Sequence, residues 1–330
     1  MWTVERIVHF EPGDLVVEGV SHFGFRDRRG RLHAVDHQRH VVARVGSDGE
    51  LEWTVAPEPP FADVPNVEAE LEFPMYVDVL PDETVLISNF ECARLYRVDP
   101  RRLVAELLVD GKALGLADMG NCVVDREGFV WVNEVRGCRV RRFDPTGRLV
   151  LTLGDGTPGF QAEAVSFDRV RFGWIYDLRP GPSGTVYALD SGNFAVRAID
   201  PATRSVRTVA GTGAAGYEGD GGDAREATFG GDAEARFDGP ISLALDELGN
   251  VYVGDRFNGV VRMIEHDSGT ISTAAGRGST DDARANDPQE RDPLRLRLPQ
   301  ISSMDYCDGR LYVPTDLTGG KGDLAVLRRS

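Results

Sequence analysis

The sequence predicts an all-β protein. It reads as a six-bladed β-propeller with four-stranded antiparallel blades and an N-terminal strand closing the last blade. Three observations predict this. A short unit of turn, about five β-formers and a polar residue recurs six times along the 330 residues. Each copy is followed by a second alternating strand, and in most copies an Asp-containing turn then leads into one more. Apolar residues at helical spacing are almost missing over any useful length. A four-stranded sheet of this kind is apolar on both faces and is stable only between neighbours, so blades packed side by side in a closed ring are the expected solution.

The six copies run in order. They are Gly30-Arg-Leu-His-Ala-Val-Asp36, Glu83-Thr-Val-Leu-Ile-Ser-Asn89, Gly128-Phe-Val-Trp-Val-Asn-Glu134, Gly184-Thr-Val-Tyr-Ala-Leu-Asp190, Gly249-Asn-Val-Tyr-Val-Gly-Asp255 and Gly309-Arg-Leu-Tyr-Val-Pro-Thr315. In the last, Thr315 stands where the others carry an acidic or amide residue. With their partner strands they predict one propeller domain over 1–330, its blades at 17–56, 73–110, 117–154, 172–211, 237–276 and 298–330. The sixth unit lacks a fourth strand, and Trp2-Thr-Val-Glu-Arg-Ile-Val-His-Phe10 is expected to supply it as a closing strand over 2–10. The segment 224–237 has room for a turn or two of helix. The acidic stretch 280–290 reads as a solvated insertion before the sixth blade.

Composition narrows the function. The chain has 37 Lys+Arg and 53 Asp+Glu, a formal charge of −16, which opposes a nucleic-acid partner because phosphate backbones require a basic face. No apolar run approaches the roughly 20 residues of a membrane helix, so no membrane is expected. The start, MWTVERIVHFEPGD, has no apolar signal region, and a cytoplasmic protein is expected. Cys92, Cys122, Cys138 and Cys307 form no C-x-x-C pair and read as reduced, mostly buried thiols. No P-loop or nucleophile elbow is present, and no nucleotide or redox cofactor is expected.

Blades four and five resemble NHL-repeat propellers. Asp190-Ser-Gly-Asn-Phe-Ala-Val-Arg and Asp255-Arg-Phe-Asn-Gly-Val-Val-Arg are similar to the D-x-x-N-x-x-[IV]-R core of that family. The run from Val209 through Ala-Gly-Thr-Gly and Gly-Asp-Gly-Gly to Ala224 is similar to its inter-blade loop, and Gly239-Pro-Ile-Ser-Leu-Ala-Leu-Asp246 to its first strand. A weaker likeness is to regucalcin and gluconolactonase-type lactonases, which place one divalent metal in the channel. Val17-Glu18-Gly19-Val20 resembles the start of their E-G-P-x-W motif, with Pro and Trp missing. Asn121 and Asp177 lie near the matching places of blades three and four, one residue closer to the turn than the ligands of that family. Streptogramin-lyase-type propellers are the third likeness, through Trp131-Val-Asn-Glu134 and Val140-Arg-Arg-Phe-Asp-Pro.

In a propeller, the loops that lead into each first strand and leave each second strand converge at one end of the axis, where ligand sites gather. Asp36, Asp190 and Asp255 recur at one blade position and are expected to cap turns through backbone N–H groups. Residues that occur on one blade only are the better functional candidates. Glu18, Asn121 and Asp177 are the expected ligands of a single divalent metal (Ca, Mg, Mn or Zn), since hard cations take several oxygens. His22 and Asp177 are the expected proton-transfer groups, the alternative for His22 being a hydrogen-bonded structural imidazole. Tyr76, Tyr176, Asn89 and Glu134 are expected to contact substrate. The leading expectation is therefore a small-molecule enzyme in the axial funnel, a metal-assisted lactonase, esterase or lyase, as a monomer or small homo-oligomer. The alternative is a binding module that recognises a protein or peptide on its top face.

Overall fold

The computed structural model describes residues 2–10, 22–26, 31–37, 39–46, 50–231, 239–278, 285–315 and 322–329. These form six sheets, each with four strands in antiparallel order, which are the blades of a six-bladed β-propeller. Blade 1 contains His22–Arg26, Leu32–Asp36, Val41–Val45 and Leu51–Ala56. Blade 2 contains Pro74–Val79, Val85–Asn89, Arg94–Asp99 and Val104–Asp110. Blade 3 contains Cys122–Val124, Val130–Glu134, Arg139–Phe143 and Leu149–Leu153. Blade 4 contains Ile175–Pro180, Val186–Asp190, Ala195–Asp200 and Ser205–Ala210. Blade 5 contains Ser242–Leu245, Val251–Asp255, Val260–Ile264 and Ile271–Ala275. Blade 6 contains Asp305–Cys307, Arg310–Pro314 and Gly322–Arg329, and Trp2–Phe10 is its fourth strand, as expected.

Two blades carry a fifth strand that the sequence did not announce. Asn66–Glu68 runs parallel to Leu51–Ala56 in blade 1, and Val165–Ser166 pairs with Ser205–Ala210 in blade 4. No α-helix occurs among the described residues; within 224–231 there is one 3-10 turn, Ala224–Glu226, capped by Asp223. The insertion before blade 6 is a partial correction. Asn286 is buried, its backbone N–H and its side-chain amide donate to Asp323, and its carbonyl accepts from the Arg297 N–H, so this part of the segment is pinned to blade 6.

The described residues fall into two compact units. One lies within Phe10–Thr152 and holds blades 1 to 3; the other lies within Met1–His9, Leu153–Asp316 and Gly322–Ser330 and holds blades 4 to 6. In the first, Val35, Val55, Val77, Ile87 and Val98 are fully buried between blades 1 and 2. In the second, Leu189, Val196, Phe229, Leu243 and Val253 fill the space between blades 4 and 5. Trp2, Val4, Leu298, Ile301 and Leu311 do the same between blades 5 and 6. The second strand of blades 2 to 5 is buried at every residue, because it packs on both faces.

Candidate functional site

In blades 2 to 5 the polar residue that ends the second strand holds the loop leading into its own blade. Asp190 accepts from the Gly173 N–H at 2.7 Å and from Asn193 Nδ2 at 2.9 Å. Asp255 does the same with the Gly230 N–H at 3.1 Å and Asn258 Nδ2 at 2.8 Å. Glu134 accepts from the Ala117 N–H at 3.0 Å, and Asn89 Oδ1 from the Glu72 N–H at 3.0 Å. In blade 1, Asp36 instead caps the following turn through the Arg39 N–H at 3.0 Å. Three of these residues are followed seven positions on by an arginine, which meets the same residue in two blades. Arg141 bonds Glu134, Arg197 lies 3.5 Å from Asp190, and Arg262 turns to Asp220 of the glycine-rich loop. Burial pushes the Asp190 carboxyl up to about 6, with Arg197 opposing it. Burial does the same to Asp255, also to about 6. Asn89 and Glu134, expected against substrate, thus have demonstrated work in holding loops.

A second polar seam runs along the first strands of blades 4, 5 and 6, which lie side by side. Asp177 and Arg179 are two apart on one strand and so share a face. Asp177 Oδ2 accepts from the Leu243 N–H at 2.7 Å, and Arg179 Nε donates to the Leu243 carbonyl at 2.9 Å. Both backbone polar groups of one residue of blade 5 are therefore held by two side chains of blade 4. Arg179 reaches further, donating to the Met304 carbonyl of blade 6 at 3.2 Å, and lies 3.3 Å from Asp177. Ser242 Oγ accepts from the Met304 N–H at 2.6 Å. Arg179 is only 8% exposed, a charge kept from water because three oxygens surround it. Ser302 Oγ is buried beside this seam in sequence and has no hydrogen-bond partner among the described residues. Sequence reading missed Arg179; its signal was the i, i+2 spacing from Asp177 on a strand.

The unit of blades 1 to 3 uses the same device with other residues. Asp78 Oδ2 accepts from the Val124 N–H at 2.9 Å, and Ser88 Oγ donates to the Gly120 carbonyl at 2.6 Å. Asn121 is buried, its N–H donating to Asn133 Oδ1 at 2.7 Å. Tyr76 is buried on the first strand of blade 2 and Tyr176 half-buried on that of blade 4. His22 sits in the first strand of blade 1 opposite Asp36, and its side chain lies outside what the structure describes. Glu18 lies outside the described residues. His40 Nδ1 accepts from the Phe73 N–H at 2.9 Å and the His37 ring packs tilted against Phe73 with centroids 4.4 Å apart, so both tie blade 1 to blade 2.

Asn121 belongs to one compact unit and Asp177 to the other. Asp177 Oδ2 accepts from the Leu243 N–H and lies beside the Arg179 guanidinium. Among the described residues no three His, Cys, Asp or Glu side chains gather closely enough to hold a metal ion. The four cysteines form no disulfide, and burial raises the Cys122 thiol far above its usual range.

No family model matches the chain. Protein Suppressor of Quenching 1, chloroplastic, of Arabidopsis thaliana is 34% identical over 141 residues, which is 43% of this chain and 12% of that protein's length. The virginiamycin B lyase structure of Staphylococcus aureus is 12% identical, covers all of both chains and superposes with a TM-score of 0.56. A gluconolactonase structure from Xanthomonas campestris is 14% identical over 94% of this chain and 86% of its own, with a TM-score of 0.57. At these identities the likeness is one of fold. It bears out the resemblance to streptogramin-lyase-type and gluconolactonase-type propellers at that level.

Proposed function

We propose that the chain is a small-molecule enzyme of the hydrolase or lyase type, working from the first strands of blades 4 to 6. The observation that carries this is Arg179. A guanidinium fixed in advance by two carbonyls and a carboxylate is the kind of preorganised donor that stabilises an oxygen as it gains charge in a transition state. It occupies the role that the sequence reading gave to a metal ion. Ser302, with a buried hydroxyl and no protein partner among the described residues, would orient a bound carbonyl or hydroxyl. Fold likeness to a lyase and a gluconolactonase supports the reaction class and leaves the substrate open.

The test is a panel of small lactones, esters and cyclic depsipeptides assayed with and without chelator. The reading expects turnover of at least one compound class, unchanged by chelator. Turnover that chelator abolishes would return the charge-stabilising role to a metal.

A second reading has its own observation. Leu103, just before the last strand of blade 2, and Val104 and Leu107 on it are 43 to 54% exposed, aliphatic groups at a blade's outer edge that an apolar peptide could cover. A chain that turns over nothing on the panel, yet binds such a peptide and loses it in Val104→Glu/Leu107→Glu, follows this binding-module reading.

A further inference from the structure

In two blades a turn aspartate satisfies the polar atom of the aromatic residue on the second strand. Trp131 Nε1 donates to Asp125 Oδ2 at 2.8 Å in blade 3, and the Tyr252 hydroxyl to Asp246 Oδ2 at 2.8 Å in blade 5. In each case the aspartate stands six residues before the aromatic. In blade 4 the same two places hold Tyr187 and Gly181. Gly181 has no carboxylate to offer, and even a Cβ there would come within 2.7 Å of the Tyr187 ring. Tyr187 is 3% exposed, and its hydroxyl makes no hydrogen bond to any described residue. Solvent reaches this hydroxyl, which is not among the fully buried polar atoms, and a bound acceptor can take the place of that water.

Tyr187 lines a cavity of about 120 Å³ between blades 4 and 5, within one compact unit. Val209, Val251 and Ile264 form its apolar wall. Arg207 stands at its edge and makes no hydrogen bond or ion pair with a described residue. The other charges are already engaged: Arg225 grips Asp223, and Glu265 accepts from Ser268 Oγ at 2.9 Å. The groups without a hydrogen bond or ion pair to a described residue are thus two donors, one of them cationic, and the His266 ring, beside an aliphatic surface. Asp223 and Glu265 nearby oppose a second negative charge.

We propose that this cavity is a binding site for a small aliphatic monocarboxylate, its carboxylate on Tyr187 and Arg207 and its carbon chain on Val209, Val251 and Ile264. A volume of about four water molecules admits roughly four to six heavy atoms. Charge-assisted bonds to Arg207 supply strength and the phenol supplies direction. Burial raises the Tyr187 phenol, so it stays a protonated donor near neutral pH.

The experiment is saturation-transfer NMR on the full chain with butyrate as the probe and inorganic phosphate as the comparison. Saturable butyrate binding is expected, with phosphate at least about tenfold weaker. Tyr187→Phe and Arg207→Gln should each weaken butyrate about tenfold, the loss of one good hydrogen bond or more, with the melting temperature unchanged. The proposal is overturned if butyrate fails to saturate, if phosphate binds as tightly, or if both variants bind butyrate like the wild type. A fall in melting temperature in Tyr187→Phe would equally overturn it, by showing that the hydroxyl serves the fold.

Discussion

Asp190 and Asp255 are buried carboxyls whose proton is held to about 6, whereas an unfolded Asp titrates near about 3.9. Between those pH values the folded chain binds more protons than the unfolded one. Their contribution to stability therefore falls as pH rises from about 4 to about 6, and stays level above that. Asp190→Asn/Asp255→Asn removes the dependence. Its unfolding free energy relative to wild type should climb across that window in urea titrations, and a difference constant with pH would contradict the assignment. Residue roles were legible where chemistry repeats: the recurrence of Asp36, Asp190 and Asp255 predicted structural work, and each holds a loop or turn. Non-recurrence was a poorer guide. Asp177 is unrepeated, yet it bridges adjacent first strands, as Asp78 and Ser242 do elsewhere. A backbone N–H accepts any oxygen as a partner, so the same bond is made by different residue types and leaves no sequence repeat.

At the scale of strands, Trp2–Phe10 is the most testable element. Trp2 is buried, edge-on to Tyr252 at 5.5 Å, while Glu5 meets Arg310 at the surface at 2.7 Å. Trp2→Ala should cost about 3–5 kcal/mol, as large aromatic truncations do. Glu5→Ala should cost no more than about 1 kcal/mol, since exposed ion pairs contribute little. Equal costs in guanidinium unfolding would mean that the strand is held by its rim and not by its core face. The strand was legible because the sixth unit ran out of β-formers where 2–10 supplied them. The fifth strands were not: Asn66–Glu68 and Val165–Ser166 are too short to show any alternation. The tethering of Asn286 was hidden too, because an acidic segment reads as solvated until a buried acceptor such as Asp323 is placed beside it.

For the molecule as a whole, period-two patterning and six repeats carried the fold, because blade packing rewards pattern and tolerates identity. The formal charge of −16 leads to the expectation that the chain does not shift duplex DNA or structured RNA at 0.15 M salt; binding that survives that salt would show a local basic surface at work. Function was less legible, because the sequence offered oxygens without showing that Asp177 Oδ2 would meet the Leu243 N–H and the Arg179 guanidinium. The central claim is that this guanidinium supplies the positive charge. Arg179→Met alone would strand the Asp177 charge, so the decisive variant is Asp177→Asn/Arg179→Met, which removes both charges together. Measured on a substrate found in the panel, with circular dichroism and melting to verify the fold, this folded double variant should lose about 100-fold or more in kcat. A folded double variant that keeps the wild-type rate would contradict the account.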